Sequence, residues 1–174
     1  MNDQLRNELL ARIEKEQNLR RDLNASPDDI QLIMRMMEAD AQNTMWLEEI
    51  IQQYGWPSKS LVGEEGAQAA FLIVQHSPAL QFQKKCLQLL EQAVHENEAD
   101  AISLAYLTDR IRTSEGKPQL YGTQGQTSAD GSIIPFPIED KEHVDERRSA
   151  LGLEPVAEYF KSMNETYKTK SSER

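Results

Sequence analysis

Residues 101–124 read AISLAYLTDRIRTSEGKPQLYGTQ, and they decide the fold because the pattern changes within them from a helix to a hairpin. Apolar residues recur at helical spacing over 102–111, which predicts an amphipathic helix that ends before Gly116. A short polar loop follows, and 121–124 then leads into a predicted strand. The charged and polar side chains at this change of architecture form a first candidate site: Asp109, Arg110, Tyr121 and Gln124.

The sequence after this helix predicts a β-hairpin laid across the helices. Two segments of strand character, 118–128 and 131–138, flank a turn in which Gly131 supplies a positive φ. Pro135 and Pro137 restrict the second segment to an edge strand or an extended strap, because proline cannot donate to a sheet ladder.

Helices dominate the rest of the chain. Apolar periodicity predicts helices at roughly 2–24, 30–54, 66–76, 78–96, 100–115 and 144–151, and a last helix that begins after Pro155. The nearly uninterrupted apolar run at 66–76 is also compatible with a central strand, but its alanines and the lack of partner strands nearby favour a helix. We therefore predict a mainly α fold, a single-domain bundle of about six to seven helices over 1–168 with a small hairpin or strap near 118–138. The polar tail at 169–174 is predicted to be frayed.

The second helix is predicted to be long. Ser26, Pro27 and two acids favour a helix start, and Gly55 followed by Trp56 favours its end. Its apolar stripe is predicted to face the core: Ile30, Ile33, Met37, Ala41, Thr44, Leu47 and Ile51.

The composition argues against several classes of protein. The 174 residues carry a net charge of −10, whereas a surface that follows nucleic-acid phosphates needs clustered Lys and Arg, so no nucleic-acid partner is expected. A transmembrane helix needs a run of about 18 apolar residues, and no run in this sequence is that long. The N-terminus has no signal-peptide pattern. We expect a cytoplasmic protein without a membrane partner. The single cysteine, Cys86, cannot close an internal disulfide and is interpreted as a packing residue.

No motif for a known chemistry accompanies this fold. The chain has no glycine-rich phosphate loop, no H-E-x-x-H, no C-x-x-C and no G-x-S-x-G. The three histidines, at 76, 95 and 143, lie far apart in the sequence, so only the fold could assemble a metal site from them. Neither a metal site nor a cofactor is expected.

Five predicted helices carry polar residues near their apolar stripes: Gln17 and Arg20, Asp40 and Asn43, Gln75 and His76, Gln83, and Asp109. If these side chains meet, they form a polar pocket, and neighbouring charges would tune the ionisation of the histidine. If they do not meet, they are ordinary boundary residues. Two further alternatives stay open: Glu16 and Arg20 could form only a surface ion pair, and His76 could be only a hydrogen-bonded core residue.

An ordered series of motifs resembles an uncharacterised bacterial family, domain of unknown function 6624, over nearly the whole chain. The motifs are Tyr54-Gly55-Trp56-Pro57, Val62-Gly63, Val74-Gln75-His76, the segments 104–110, 119–124 and 137–140, and Arg147-Arg148 before Gly152-Leu153 and Tyr159. The resemblance implies a bacterial source and a shared pocket, but no reaction, because the family has no established activity. It points to Arg20, Asp40, Asn43, Gln75, His76, Asp109, Arg110, Tyr121, Gln124 and Arg148.

Two positions depart from the family pattern. Glu16 stands where members often have an aspartate before glutamine. Ser77-Pro78 follows His76, where an aspartate is common nearby, and this weakens a scheme that needs a carboxylate directly after the histidine.

We expect a polar pocket around His76 that binds a small polar or anionic ligand, with Arg20, Asp40, Asn43, Gln75, Arg110, Gln124 and Arg148 as binding residues. The first alternative is a hydrolase or isomerase in which His76 is a general acid or base, oriented by Asp109 or Asp40, with Tyr121 as a further candidate. The second is a protein-interaction module, which an exposed apolar patch around Trp46, Trp56 and Phe136 would favour. The sequence leaves the oligomeric state open.

Overall fold

The computed structural model describes residues 1–172, with side chains described for residues 1–166. The fold is 70% helical, with seven helices and one small two-stranded antiparallel sheet within the described residues, which confirms the predicted mainly α class. The helices are α1 Asp3–Ala25, α2 Ile30–Tyr54, α3 Lys59–His76, α4 Leu80–His95, α5 Ala101–Ser114, α6 Val144–Ser149 and α7 Val156–Ser172, and the strands are β1 Gly125–Thr127 and β2 Ile133–Pro135.

Internal packing divides the chain into two compact units, which we call unit 1 (Met1–Ser103) and unit 2 (Leu104–Arg174). The prediction of one domain over 1–168 stays a prediction. In the predicted frayed tail, α7 continues to Ser172, and residues 173–174 lie outside the described residues.

Helix α3 is the centre of unit 1 and packs against α1, α2 and α4. Its apolar run is helical, as predicted, and its buried face includes Val62, Ala70, Phe71 and Val74. A helix that meets neighbours on several sides needs apolar residues around most of its circumference. The uninterrupted run at 66–76 is therefore the signature of a central helix and not of a strand.

The start of α3 differs from the prediction. The predicted start of this helix at residue 66 is wrong: α3 begins at Lys59, because Ser58 caps it and its hydroxyl accepts the Leu61 N–H at 3.3 Å. Gly63 then interrupts the helix with a φ of +75°. Only glycine adopts such a backbone conformation without strain, so a kink separates the first turn from the apolar run.

Helix α2 buries only part of its predicted stripe. Asp29 caps its N-terminus and accepts the N–H groups of Gln31 and Leu32. The buried residues are Asn43, Thr44, Leu47 and Ile51, all in the C-terminal half. The prediction that Ile30 and Met37 face the core is wrong: they are 71% and 62% exposed.

Unit 2 contains the hairpin, α6 and α7. The strands are antiparallel with Gly125 opposite Pro135 and Thr127 opposite Ile133, which confirms the predicted hairpin in a shorter form. An isolated parallel bridge joins Gln119 to Ile138, and α7 packs against β2. No helix within residues 1–172 combines the length and the apolarity needed to cross a membrane.

The Cys86 thiol gives a direct test of packing in unit 1. It is fully buried on α4, and burial raises its pKa to about 12. The thiolate is the reactive species, so a disulfide reagent at pH 8 should leave the native protein unmodified and should titrate one thiol per chain in concentrated guanidinium. Rapid reaction of the native protein, at the rate of a free thiol, would contradict this packing.

Candidate functional site

Glu16 is the centre of a polar cluster in unit 1. Its side chain is 2% exposed. Its Oε1 forms an ion pair with Arg20 Nε and lies 3.0 Å from His76 Nδ1, and its Oε2 accepts from Gln17 Nε2 at 2.9 Å. Arg20 also donates Nη2 to both carboxylate oxygens of Asp40, at 3.1 and 2.9 Å. We call Glu16, Arg20, Asp40 and His76 the polar cluster.

Three helices supply the polar cluster. Helix α1 carries Glu16 and Arg20 one turn apart, α2 carries Asp40, and His76 is the last residue of α3. The buried positions of α1 are Leu5, Leu9, Glu16 and Leu19. Glu16 follows Leu9 by seven residues, which is two helical turns, so the helix turns its carboxylate towards the core.

The cluster has a buried end and an accessible end. His76 and Arg20 are 19% and 27% exposed, whereas Glu16 is closed off from solvent. Asp40 lies between these extremes. Burial raises its pKa, and this effect exceeds the opposing attraction of the Arg20 guanidinium and the His76 ring. The charged form of Asp40 is therefore held in the folded protein against a desolvation cost.

Other predicted polar residues of unit 1 have separate partners. Asn43 accepts from Arg12 Nη1 at 3.2 Å, and the Arg12 guanidinium lies 4.2 Å from the ring centre of Trp46. Gln83 Nε2 donates to the carbonyls of Val74 and Ser77, each at 3.1 Å. These bonds close the C-terminal end of α3, where helix carbonyls lack partners of their own.

In unit 2, the Asp109 carboxylate binds the loop before the hairpin. Asp109 is fully buried on α5. Its oxygens accept the N–H groups of Leu120 at 2.7 Å, Tyr121 at 3.1 Å and Thr123 at 3.0 Å, and also the Thr123 hydroxyl at 3.0 Å. A carboxylate saturated by N–H and O–H donors is a strong anchor, because charge-assisted hydrogen bonds exceed neutral ones.

Gln119 fixes the same loop from its other side. The side chain is fully buried, and Nε2 donates to the carbonyls of Gln124 at 2.9 Å and Phe136 at 3.0 Å. Its Oε1 accepts the Gln124 N–H at 2.8 Å. The Gln124 side chain in turn donates to the Thr123 hydroxyl at 3.0 Å. Loop and hairpin are thus joined through amide groups.

Arg148 anchors this loop from α6. It is buried and donates Nε to the Glu154 carbonyl at 2.5 Å and Nη1 to the Tyr121 carbonyl at 2.7 Å. Its guanidinium lies 5.0 Å from the ring centre of Tyr159, whose hydroxyl meets that of Tyr106 at 3.3 Å. Burial and the hydrogen bond with the Tyr106 hydroxyl raise the pKa of Tyr159. These contacts give Asp109 and Arg148 an architectural role in unit 2.

The structure brings some predicted site residues together within each unit. Those that meet in unit 1 are Arg20, Asp40 and His76, with Gln75 directly before the histidine and Asn43 bonded elsewhere. Those that share one network in unit 2 are Asp109, Tyr121, Gln124 and Arg148. Arg110 is half-buried on α5, and its carbonyl accepts the hydroxyls of Thr113 and Ser114.

Sequence reasoning missed the central role of Glu16. The Glu16–Arg20 ion pair is present, but the alternative that places it at the surface is wrong, since Glu16 is buried. The spacing from Leu9 carried the signal. Gln119 and Thr123 were also missed, and no periodic pattern marks them, because their partners are loop carbonyls and the Asp109 carboxylate.

No group of three or more His, Cys, Asp or Glu residues in the described part of the chain is arranged to hold a metal ion. A family model described as a family of unknown function, DUF6624, matches residues 3–172. No curated protein and no solved structure matches the chain.

Asp109→Asn tests the anchor in unit 2. One acceptor oxygen becomes an NH₂ group that faces backbone N–H donors, so we expect a loss of about 2–4 kcal/mol in the free energy of unfolding, measured by urea denaturation. Thr123→Val removes the hydroxyl that donates to Asp109 and accepts from Gln124, and it should cost less, about 1–2 kcal/mol. Equal, small losses for both variants would contradict the anchoring role.

Asp40→Asn tests the electrostatics of the polar cluster. The pKa of Asp40 is raised in the folded protein, so the folded state binds a proton at this carboxylate more readily than the unfolded state does. This preference stabilises the folded protein at pH values below the ordinary aspartate pKa of about 4. The stabilisation is lost as the pH rises through the pKa that Asp40 has in the folded protein. The variant lacks this loss, so its stability relative to the wild type should increase from about pH 4 to pH 7.

Urea denaturation at several pH values measures this difference. The control is Asp28→Asn, which alters an exposed carboxylate before α2. A relative stability of Asp40→Asn that falls with rising pH would contradict the raised pKa.

Proposed function

The chain belongs to the DUF6624 family, whose function is unknown, and we propose from the geometry of unit 1 that the polar cluster binds a small polar molecule through His76. The observation that carries the proposal is the pairing of His76 Nδ1 with the buried Glu16 carboxylate at 3.0 Å. A carboxylate beside one ring nitrogen helps to fix the orientation of the imidazole, and the 19% exposure of the His76 side chain gives a ligand access to the ring.

The distribution of exposure supports a site over a purely internal network. The Glu16 carboxylate is buried, whereas the His76 imidazole and the Arg20 guanidinium are partly exposed to solvent. A buried polar network can serve only to fix a conformation. The partial exposure of His76 favours binding, because a purely structural histidine at the end of α3 needs no access to solvent.

The charges of the cluster narrow the class of ligand. Arg20 donates from Nε to Glu16, from Nη2 to both carboxylate oxygens of Asp40, and from Nη1 to Met36 Sδ at 3.6 Å. All three nitrogens of this guanidinium thus contact acceptors of the protein, and the cluster contains two carboxylates beside one guanidinium and one imidazole. We propose a neutral or positively charged polar ligand and do not retain the anionic class.

A thermal-shift screen with a library of neutral and cationic metabolites tests this proposal. Compounds that raise the melting temperature of the wild type should fail to do so with His76→Gln. The control is His143→Gln, which alters an exposed histidine of unit 2 and should respond as the wild type does. No stabilising compound, or equal shifts with His76→Gln, would contradict the proposal.

Acid–base catalysis is the second candidate, and the Glu16–His76 pair is the observation that favours it. A carboxylate behind an imidazole stabilises the protonated ring and orients it for proton transfer. The 3.0 Å distance supports Glu16 as the residue that orients His76, whereas the sequence suggested Asp109 or Asp40. Each stabilising compound would be followed by NMR for conversion. Turnover should be lost in His76→Gln and reduced in Glu16→Gln, and unchanged rates would exclude this role.

We also propose a cytoplasmic location, which the single cysteine, with no disulfide framework in the chain, favours. Fractionation of cells that express the tagged full chain tests it. Recovery with the membrane or extracellular fraction would contradict it.

A further inference from the structure

Helix α2 exposes a continuous apolar stripe along one face. Ile30, Met34, Met37 and Met45 are 71%, 64%, 62% and 62% exposed, and the half-buried Ala41 completes the series. Their spacing of four, three, four and four residues places all five on one side of the helix. We call these five residues the methionine stripe.

The stripe is distinct from the face of α2 that packs in unit 1. That face carries Asn43, Thr44, Leu47 and Ile51, and it packs against α1 and α3. Isolated exposed apolar residues are ordinary in proteins, but a row of them on one helix marks an interaction surface. Methionine suits such surfaces because its flexible, polarisable side chain adapts to different apolar partners.

Acidic residues border the stripe. Glu38 follows Met37 directly, and Glu48 and Glu49 lie three and four residues after Met45, so they extend the same side of the helix. The basic residue of α2, Arg35, lines a cleft with Glu14 and Asp22 of α1. Glu48 pairs with Lys85 of α4 at 3.7 Å, so Glu38 and Glu49 supply the negative charge at the edge of this apolar surface.

From this pattern we propose that the methionine stripe is a docking surface for a basic amphipathic helix of another protein. Apolar side chains of the partner at positions i, i+3 or i+4, and i+7 would cover the methionines, and its Lys or Arg residues would pair with Glu38 and Glu49. The stripe runs over 16 residues, from Ile30 to Met45, and its ends lie about 22 Å apart along the helix axis, which matches a partner helix of about four turns.

The charge of the surface favours a basic helix over the two other candidate partners, a second copy of the chain and an anionic membrane. A second copy of the chain would bring its own acidic edge against Glu38 and Glu49, and like charges across an interface oppose association. An anionic membrane surface would repel the same residues and a chain of net charge −10. A basic helix satisfies both the apolar and the charged part of the surface.

The test uses the full chain and a fluorescent synthetic peptide of leucine and lysine arranged as an amphipathic helix of about four turns. A matched peptide carries glutamate at every lysine position. Fluorescence anisotropy measures the binding of each to the wild type, to the triple variant Met34→Gln, Met37→Gln and Met45→Gln, and to Tyr54→Gln. Tyr54 is an exposed apolar residue at the end of α2 outside the stripe.

We expect the wild type and Tyr54→Gln to bind the lysine peptide alike, and the triple variant to bind at least about tenfold more weakly. The glutamate peptide should not bind. Circular dichroism verifies that the triple variant is folded, and Met37→Gln alone, which should give a smaller loss, serves if it is not.

Equal binding of the lysine peptide to the wild type and to a folded stripe variant would overturn the proposal, because attraction would then come from net charge alone. A wild-type dimer that the triple variant dissociates, seen by sedimentation equilibrium, would instead identify a second copy as the occupant and would also overturn it. Preferential binding to phosphatidylglycerol vesicles over the peptide would do the same.

Discussion

A carboxylate taken out of water must be surrounded by donors, and this constraint governs both units of the protein. In unit 1, Glu16 meets it with hydrogen bonds from a glutamine and an arginine, and the ring of His76 lies 3.0 Å away. In unit 2, Asp109 meets it with backbone N–H groups and a threonine hydroxyl. An unpaired charge at either position would cost several kcal/mol, so the surrounding elements are placed to supply donors.

The two solutions differ in what they leave available. Asp109 is saturated by groups whose only task is to hold a loop. Glu16 is paired with His76 and Arg20, whose side chains are 19% and 27% exposed and can therefore meet a molecule from solvent. Glu16 and Asp109 are both buried acids on the apolar face of a helix, but their partners differ. Side chains surround Glu16, whereas backbone N–H groups and one hydroxyl surround Asp109, so the two acids support different roles. The functional proposal depends on this difference.

Most of the fold could be predicted from the sequence, because helix periodicity, capping residues and turn glycines act locally. The hairpin around Gly131 and the helical run before His76 are examples. The site was only partly predictable. His76, Arg20 and Asp40 break their stripes visibly, whereas Glu16 was masked because Arg20 four residues later offered it an ordinary surface partner. Gln119 and Thr123 act through loop carbonyls and a distant carboxylate, and no local pattern encodes such contacts. On α2, periodicity identified apolar residues but could not tell which would face water, since Ile30 and Met37 have the same spacing as core positions.

The central claim is that Glu16 holds the Nδ1 atom of His76. The most direct measurement is the tautomer of His76, read from the ¹⁵N chemical shifts of its ring by NMR, with His76→Gln to assign the signals. Because the Glu16 carboxylate lies 3.0 Å from Nδ1, we expect the neutral ring to carry its proton on Nδ1, and we expect Glu16→Gln to change this tautomer. A ring protonated on Nε2 in both the wild type and Glu16→Gln would contradict it.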